Sequence, residues 1–351
     1  MPEMIDLFAG FGIIPTAVKI GILIGLVMTA VAYISFAERR IAGFIQERIG
    51  PNRVGPLGLL QPLADGLKFI FKEEIIPSLA HKPTFILAPA IAVTTALTTF
   101  AVLPFGGPFE AWGKTISPMV ADLDIGVLYI LAVASLGVYG IVLAGWSSNN
   151  KYSLLGGLRS TAQLISYELP MTLALVGVLM AAGSLRLADI VNAQMNSAWY
   201  AVAMPLGAFI FIVSAFAETN RLPFDMPEAE AEIVAGYHTE YSSMKFAMFY
   251  MAEYMNVTMS SCLITLLFFG GWHLPFVEGM LQGLSQPSRA AAHAAIFAGK
   301  TTFFIFFYIW VRWTLPRFRY DQLMRLGWKV LLPLALANIF YVGGAILLGW
   351  F

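Results

Sequence analysis

Apolar residues dominate this chain in long runs, separated by short polar stretches. Eight runs approach the roughly 20 residues that a membrane-spanning helix needs. They are about 16–37, 83–104, 125–146, 161–182, 200–217, 246–271, 297–315 and 330–350. The pattern predicts an all-α, polytopic membrane protein, with one integral membrane domain over 1–351. The sixth run is long enough to tilt. Pro and Gly inside several runs are compatible with packed spanning helices. Between the first two runs, Leu60, Leu63, Leu67, Ile70 and Phe71 recur at helical spacing, with Asp65, Lys68 and Lys72 on another face. That spacing predicts an amphipathic helix lying along the membrane interface in the first loop. It serves either as a basic anchor on lipid or as part of a functional surface.

Composition agrees with the run pattern. Of 351 residues, 58% are hydrophobic and 12% charged, against about 25% charged in soluble domains. Charge then orients the chain. The first, third, fifth and seventh loops (about 38–82, 147–160, 218–245 and 316–329) hold 16 of the 21 Lys and Arg, Arg312 at the edge of the last included. The second, fourth and sixth hold Lys114, Arg186 and Arg289. Positive loops stay inside, so the odd loops are expected in the cytoplasm and both termini outside, in the periplasm. Glu3 and Asp6 stand where a cleaved signal peptide would be basic, so the first run is expected to be a retained span.

The formal net charge is zero, which gives no electrostatic case for nucleic acid, and no such partner is expected. One cysteine, Cys262, and four scattered histidines give neither a disulfide framework nor metal-ligand spacing, so no metal site is expected. No Gly-rich phosphate loop is present.

The acids are more informative. The stretch "RLPFDMPEAEAEIVAGYHTEYS", 221–242, carries Asp225, Glu228, Glu230, Glu232 and Glu240 and falls in the fifth loop. Glu168 and Glu253 lie within the fourth and sixth runs, while Glu38 and Glu218 are expected at the inner ends of the first and fifth. An acid inside a span costs roughly 2.5–3.5 kcal/mol on insertion scales, which marks it as functional by default. Burial and neighbouring carboxylates both raise a carboxyl pKa, and coupled acids can share protons. On a helix, Glu228 and Glu232 would share a face, with Glu230 nearly opposite. Each acid also has a plainer reading, as an interfacial group satisfied by water or arginine. The "FAERRIAGFIQERIGPNRVGP" stretch, 36–56, adds Arg39, Arg40, Arg48 and Arg53 in a turn-rich loop. Those arginines are either topogenic or a basic surface for an acidic soluble partner.

Two long segments carry a resemblance. "GLLQPLADGLKFIFKE", 58–73, and "PFDMPEAEAEIVAG", 223–236, resemble the signature segments of the H-type subunit of the bacterial proton-translocating NADH:quinone oxidoreductase (respiratory complex I), the counterpart of mitochondrial complex I subunit 1. "ERRIAGFIQERIGPNRVGP", "AETNRLPFD", "ISYELP" and "MFYMAEY" fit as well, and the likeness covers roughly 30 to 320. The resemblance implies a membrane subunit of a respiratory translocase in the bacterial inner membrane. It implies a chamber that quinone, the substrate, enters from lipid. Arg39, Arg48 and Asp65 would line that chamber, with Phe224 and Asp225 on the loop that shapes it. Glu38, Glu168, Glu218, Glu228, Glu230, Glu232, Glu240 and Glu253 would form a path coupling quinone reduction to proton translocation. Flavin and iron–sulfur clusters are expected only in partner subunits, the soluble ones supplying the terminal cluster and quinone headgroup ligands beside other membrane subunits.

Three rival readings remain. Membrane-bound hydrogenases, formate hydrogenlyase and deazaflavin-dependent dehydrogenases contain related subunits. A stand-alone proton-coupled transporter would also place acids in spans, though no internal repeat of the kind common in transporters is evident. A purely structural anchor would leave activity indifferent to acid-to-amide changes.

Overall fold

The structure, a computed structural model, describes residues 13–111, 114–227, 230–275, 277–281, 283 and 285–350. Glu3 and Asp6, on which the retained first span partly rests, lie outside the described residues. The long helices are α1 (Ile13–Ile45), α3 (Lys82–Thr99), α4 (Gly126–Ser147), α5 (Lys151–Ala182), α8 (Ser243–Phe268), α9 (Gln286–Thr314) and α10 (Tyr320–Leu347). Among the described residues these seven are long and apolar enough to cross a membrane. The amphipathic α2 (Gln61–Phe71) follows α1, α6 (Leu187–Asn196) follows α5, and the short apolar α7 (Pro205–Glu218) precedes α8. A small antiparallel ribbon, β1 (Phe109–Ala111) with β2 (Lys114–Ile116), pairs Phe109 with Ile116 in the second loop. It is the one departure from an all-α chain among the described residues.

The fifth predicted span differs most from its run. Met204 takes a non-helical conformation and Pro205 opens a new helix, so the run splits into a turn at Tyr200–Ala203 and the 14-residue α7. At about 1.5 Å per residue α7 is some 21 Å long, less than the ~30 Å hydrocarbon core. The segment still runs between the two ends of the bundle. At its start, the Gln194 amide donates to Leu266 O at 2.8 Å, at the C-terminal end of α8, and accepts from Gly270 N at 3.0 Å. At its finish, Arg221 reaches α1 and α8 near their basic-loop ends.

Helix boundaries also move. α1 continues to Ile45, so Glu38 lies about two turns before its end and does not close it. The third loop is far shorter than 147–160, because α5 starts at Lys151, where the Asn150 side chain accepts from Tyr152 N at 2.8 Å. A side-chain acceptor at this position satisfies an orphan N–H. Glu168 is therefore almost five turns into its helix, deeper than its apolar run suggests. Residues 287–296, which the sequence leaves between helix and connection, are the first turns of α9.

Small residues set the close helix contacts, as expected where packing rather than hydrophobicity drives association. A Cβ on Gly156 would stand 2.6 Å from Gly236 Cα, so α5 presses directly on the turn after the acidic loop. A Cβ on Gly145 would meet Ser153 O at 2.7 Å where α4 and α5 cross. At the other end of the bundle, Lys300 donates to Phe269 O and His273 O at 2.6 Å, gathering carbonyls beyond α8.

The α2 helix forms where the sequence places it, and Leu60, Leu63, Leu67, Ile70 and Phe71 are all exposed, Phe71 at 83%. It is fastened to α8 by the Phe69–Phe246 ring contact and by a hydrogen bond from Ser243. Ser243 Oγ lies 2.9 Å from both Phe69 O and Lys72 O, and donates to one or the other. Ser243→Ala is expected to cost about 1 kcal/mol. Amide exchange over residues 61–72 should then quicken roughly fivefold; unchanged exchange would mean that lipid, not Ser243, holds α2.

Candidate functional site

The acidic residues scattered along the chain converge on two neighbouring features. The first is a partly open cavity of about 1170 Å³, open solvent at its mouth included, between α3, α4, α5, α7 and α8. Glu168 from α5, Glu218 at the end of α7 and Glu253 from α8 all line it, with Thr95, Thr99, Ser135, Asn256 and Ser260 as further polar groups. Most of the remaining wall is Ala, Leu, Ile, Val, Met and Phe. Three carboxyls therefore share one mostly apolar-walled space, Glu253 among them being paired with Arg221.

The second feature is a buried charge cluster beside that cavity. Arg221, 4% exposed, donates to both oxygens of Glu38 at 3.0 and 3.1 Å and pairs with Glu253 as well. Arg312 of α9 pairs with Glu38 from the other side. The Arg221 guanidinium also sits 4.3 Å from the centroid of the Tyr254 ring, a cation–π distance. Two carboxylates and two guanidiniums make the cluster neutral, which is how burial of four charges becomes tolerable.

The loop between α7 and α8 is held by the same logic. Asp225, buried, pairs with Arg317 at 2.8 Å. Phe224, also buried, packs edge-on to Tyr167 and against Phe318. Gln163 of α5 donates at 2.7 Å to both Ala217 O and Phe224 O, tying the loop to the bundle. Tyr241 stacks on Phe85 at 4.0 Å and donates to Phe85 O at 3.1 Å, and burial pushes its phenol up to about 12.

The other predicted residues fall as follows. Arg39 pairs with Asp65, so α1 and α2 are joined, and Gln61 adds a bond to Asp65 at 3.0 Å. Arg48 donates to Gln46 at 2.8 Å at the surface. Glu232 is exposed and pairs with Arg159 at 2.6 Å, whereas Glu240 accepts from Asn150 at 2.6 Å. Glu230 begins a single helical turn, Glu230–Ile233, and Glu228 lies outside the described residues. The face that Glu228 and Glu232 would share on a helix therefore falls partly outside the described residues.

Sequence reasoning missed the arginines. Arg221, Arg312 and Arg317 count equally well as topogenic positive charge, and that account absorbed them. The available signal was position: Arg312 falls inside the apolar run 297–315, and Arg221 directly follows the fifth run. The isolated polar residues Thr95, Thr99, Ser135 and Asn256 were likewise invisible among apolar neighbours.

Seven long apolar helices, an eighth shorter one and a buried set of ionisable groups define a multi-pass membrane protein. A family model described as NADH dehydrogenase matches residues 18–343. An H-type subunit of the NADH-quinone oxidoreductase of Cytophaga hutchinsonii is 52% identical, over 90% of this chain and 92% of its own length. The H-type subunit of the same enzyme in Leptospira biflexa is 52% identical over 94% of each chain. NADH-quinone oxidoreductase subunit 8 of Rhodothermus marinus is 52% identical over 93% and 96%. The chain belongs to this NADH dehydrogenase family of NADH-quinone oxidoreductase membrane subunits, as the two signature segments led one to expect.

Proposed function

We propose that this chain forms the membrane wall of a quinone chamber in a proton-translocating NADH:quinone oxidoreductase and starts the acidic route that couples quinone reduction to proton movement. The observation that carries this reading is the convergence of Glu168, Glu218 and Glu253 on one cavity, directly beside a charge cluster that reaches α1. The chamber lies at the basic-loop end, where the Arg39–Asp65 pair and Ser243 fix α2 between α1 and α8. The exposed apolar face of α2 offers quinone a surface continuous with lipid. Asp225 and Phe224 hold the loop above it, and Arg48 stands on the turn-rich segment nearby.

In this reading, Glu228, Glu230, Glu232 and Glu240 extend the acidic path from the loop toward the cavity. Quinone is the substrate, while flavin and iron–sulfur clusters reside in soluble partner subunits docked on the basic loops. Other membrane subunits flank the bundle. The chain is one integral domain in the bacterial inner membrane, its odd loops cytoplasmic and its termini periplasmic.

The test is the activity of the native complex drawn from membranes through a tag at the C-terminus. NADH oxidation that depends on added quinone and stops with a quinone-site inhibitor is the expected result. A complex that instead oxidises hydrogen or another donor would move the function to a related machine.

A further inference from the structure

The cavity and the end of α1 share one cation. Arg221 pairs with Glu253, which lines the cavity, and with Glu38, which does not. Glu38 keeps a second arginine, Arg312, if Arg221 turns away. A guanidinium offers several donors in a rigid fork, so one side chain can serve two carboxylates at once.

We propose that Arg221 is a positioning residue that links the charge state of Glu253 to that of Glu38, carrying information between the acid-lined cavity and the α1–α2 side of the bundle. This rests on the acidic-route reading above. Protonation of Glu253 leaves Arg221 and Arg312 facing Glu38 alone, one positive charge in excess in a buried site. That excess favours ionisation of the nearby acids, Glu218 and Glu168 across the cavity, and draws Arg221 toward Glu38. Loss of the proton from Glu253 reverses both effects. Tyr254 on α8 also faces Arg221, and Glu168 on α5 and Glu218 on α7 share the cavity with Glu253.

The linkage makes a signed prediction for the assembled complex in native membranes, read as the pH profile of quinone-dependent NADH oxidation per complex. Arg221→Gln leaves the cluster one charge negative, so its acids bind protons more tightly and the profile moves to higher pH by about 1 unit. Glu253→Gln leaves it one charge positive and moves the profile to lower pH. The double variant is neutral again and returns toward the parent, and Arg221→Lys, which keeps the charge, shifts less than Arg221→Gln. A purely structural arginine would lower the rate in all variants without moving the profile, and that outcome overturns the proposal. Should Arg221→Gln fail to assemble, Glu253→Gln and Arg221→Lys decide it alone, since an unmoved profile in Glu253→Gln is equally fatal. Failure of the acidic-route reading shows separately, as undiminished proton translocation in Glu168→Gln and Glu218→Gln.

Discussion

Glu168→Gln and Glu218→Gln are each expected to lower proton translocation by tenfold or more, measured as the rate of NADH-driven proton movement into sealed vesicles. The amide keeps the size and hydrogen-bonding capacity of the acid but cannot ionise, so packing around the cavity is preserved. What is lost is a proton site, and a positioned proton-transfer group typically contributes about 10²–10⁴ in rate. Both residues line the same cavity, from α5 and from the end of α7, so the two changes are expected to be non-additive. The double variant should be little worse than either single one. Because the coupling is mutual, quinone-dependent NADH oxidation falls with translocation. Retained oxidation with lost translocation would place these acids on the route but outside the coupling, whereas full retention of both would dismiss the route.

Glu38→Ala has the second large effect, and it acts on stability. Removing this carboxylate strands Arg221 and Arg312 against one another in a buried site. Breaking a buried ion pair in this way costs about 3–5 kcal/mol, because an uncompensated charge remains. The expected result is a marked fall in the denaturation midpoint of the purified complex and less of it in membranes. Glu38→Ala combined with Arg312→Met restores neutrality with Arg221 and Glu253 left as the pair. Recovery of stability in that double variant would show that the charge, not the lost packing, set the cost. No recovery would indicate that Glu38 matters chiefly as a spacer between α1 and α9.

The two effects separate what the acids do. Glu38 belongs with a path of protonatable groups when read from the sequence, because it is an acid at the edge of an apolar run. In the structure it is held between two arginines. Glu168 and Glu218 instead line a cavity whose wall is mostly apolar. Equal-looking acids in the chain thus divide into those paired with arginine and those that line a cavity, Glu253 doing both.

How much of this was legible beforehand follows from the range of the forces involved. Long apolar runs fix spans because hydrocarbon excludes unsatisfied backbone, a local requirement that any window of about 20 residues reveals. The all-α class, most of the spans and α2 with its exposed Leu63, Leu67 and Phe71 were therefore readable from the chain, and the two signature segments carried the family. The break at Met204, the extension of α1 past Glu38 and the early start of α5 were not, because helices continue beyond the apolar stretch wherever caps and neighbours satisfy them. Pairing was the least legible. Arg221 lies 183 residues from Glu38 in the chain, and Arg312 lies 274, and no local pattern states which acid a buried arginine will meet. The sequence by itself determined which segments enter the membrane and which residues carry charge there. Only the tertiary structure decided which charges cancel and which share a cavity, because that depends on how helices pack across the bundle.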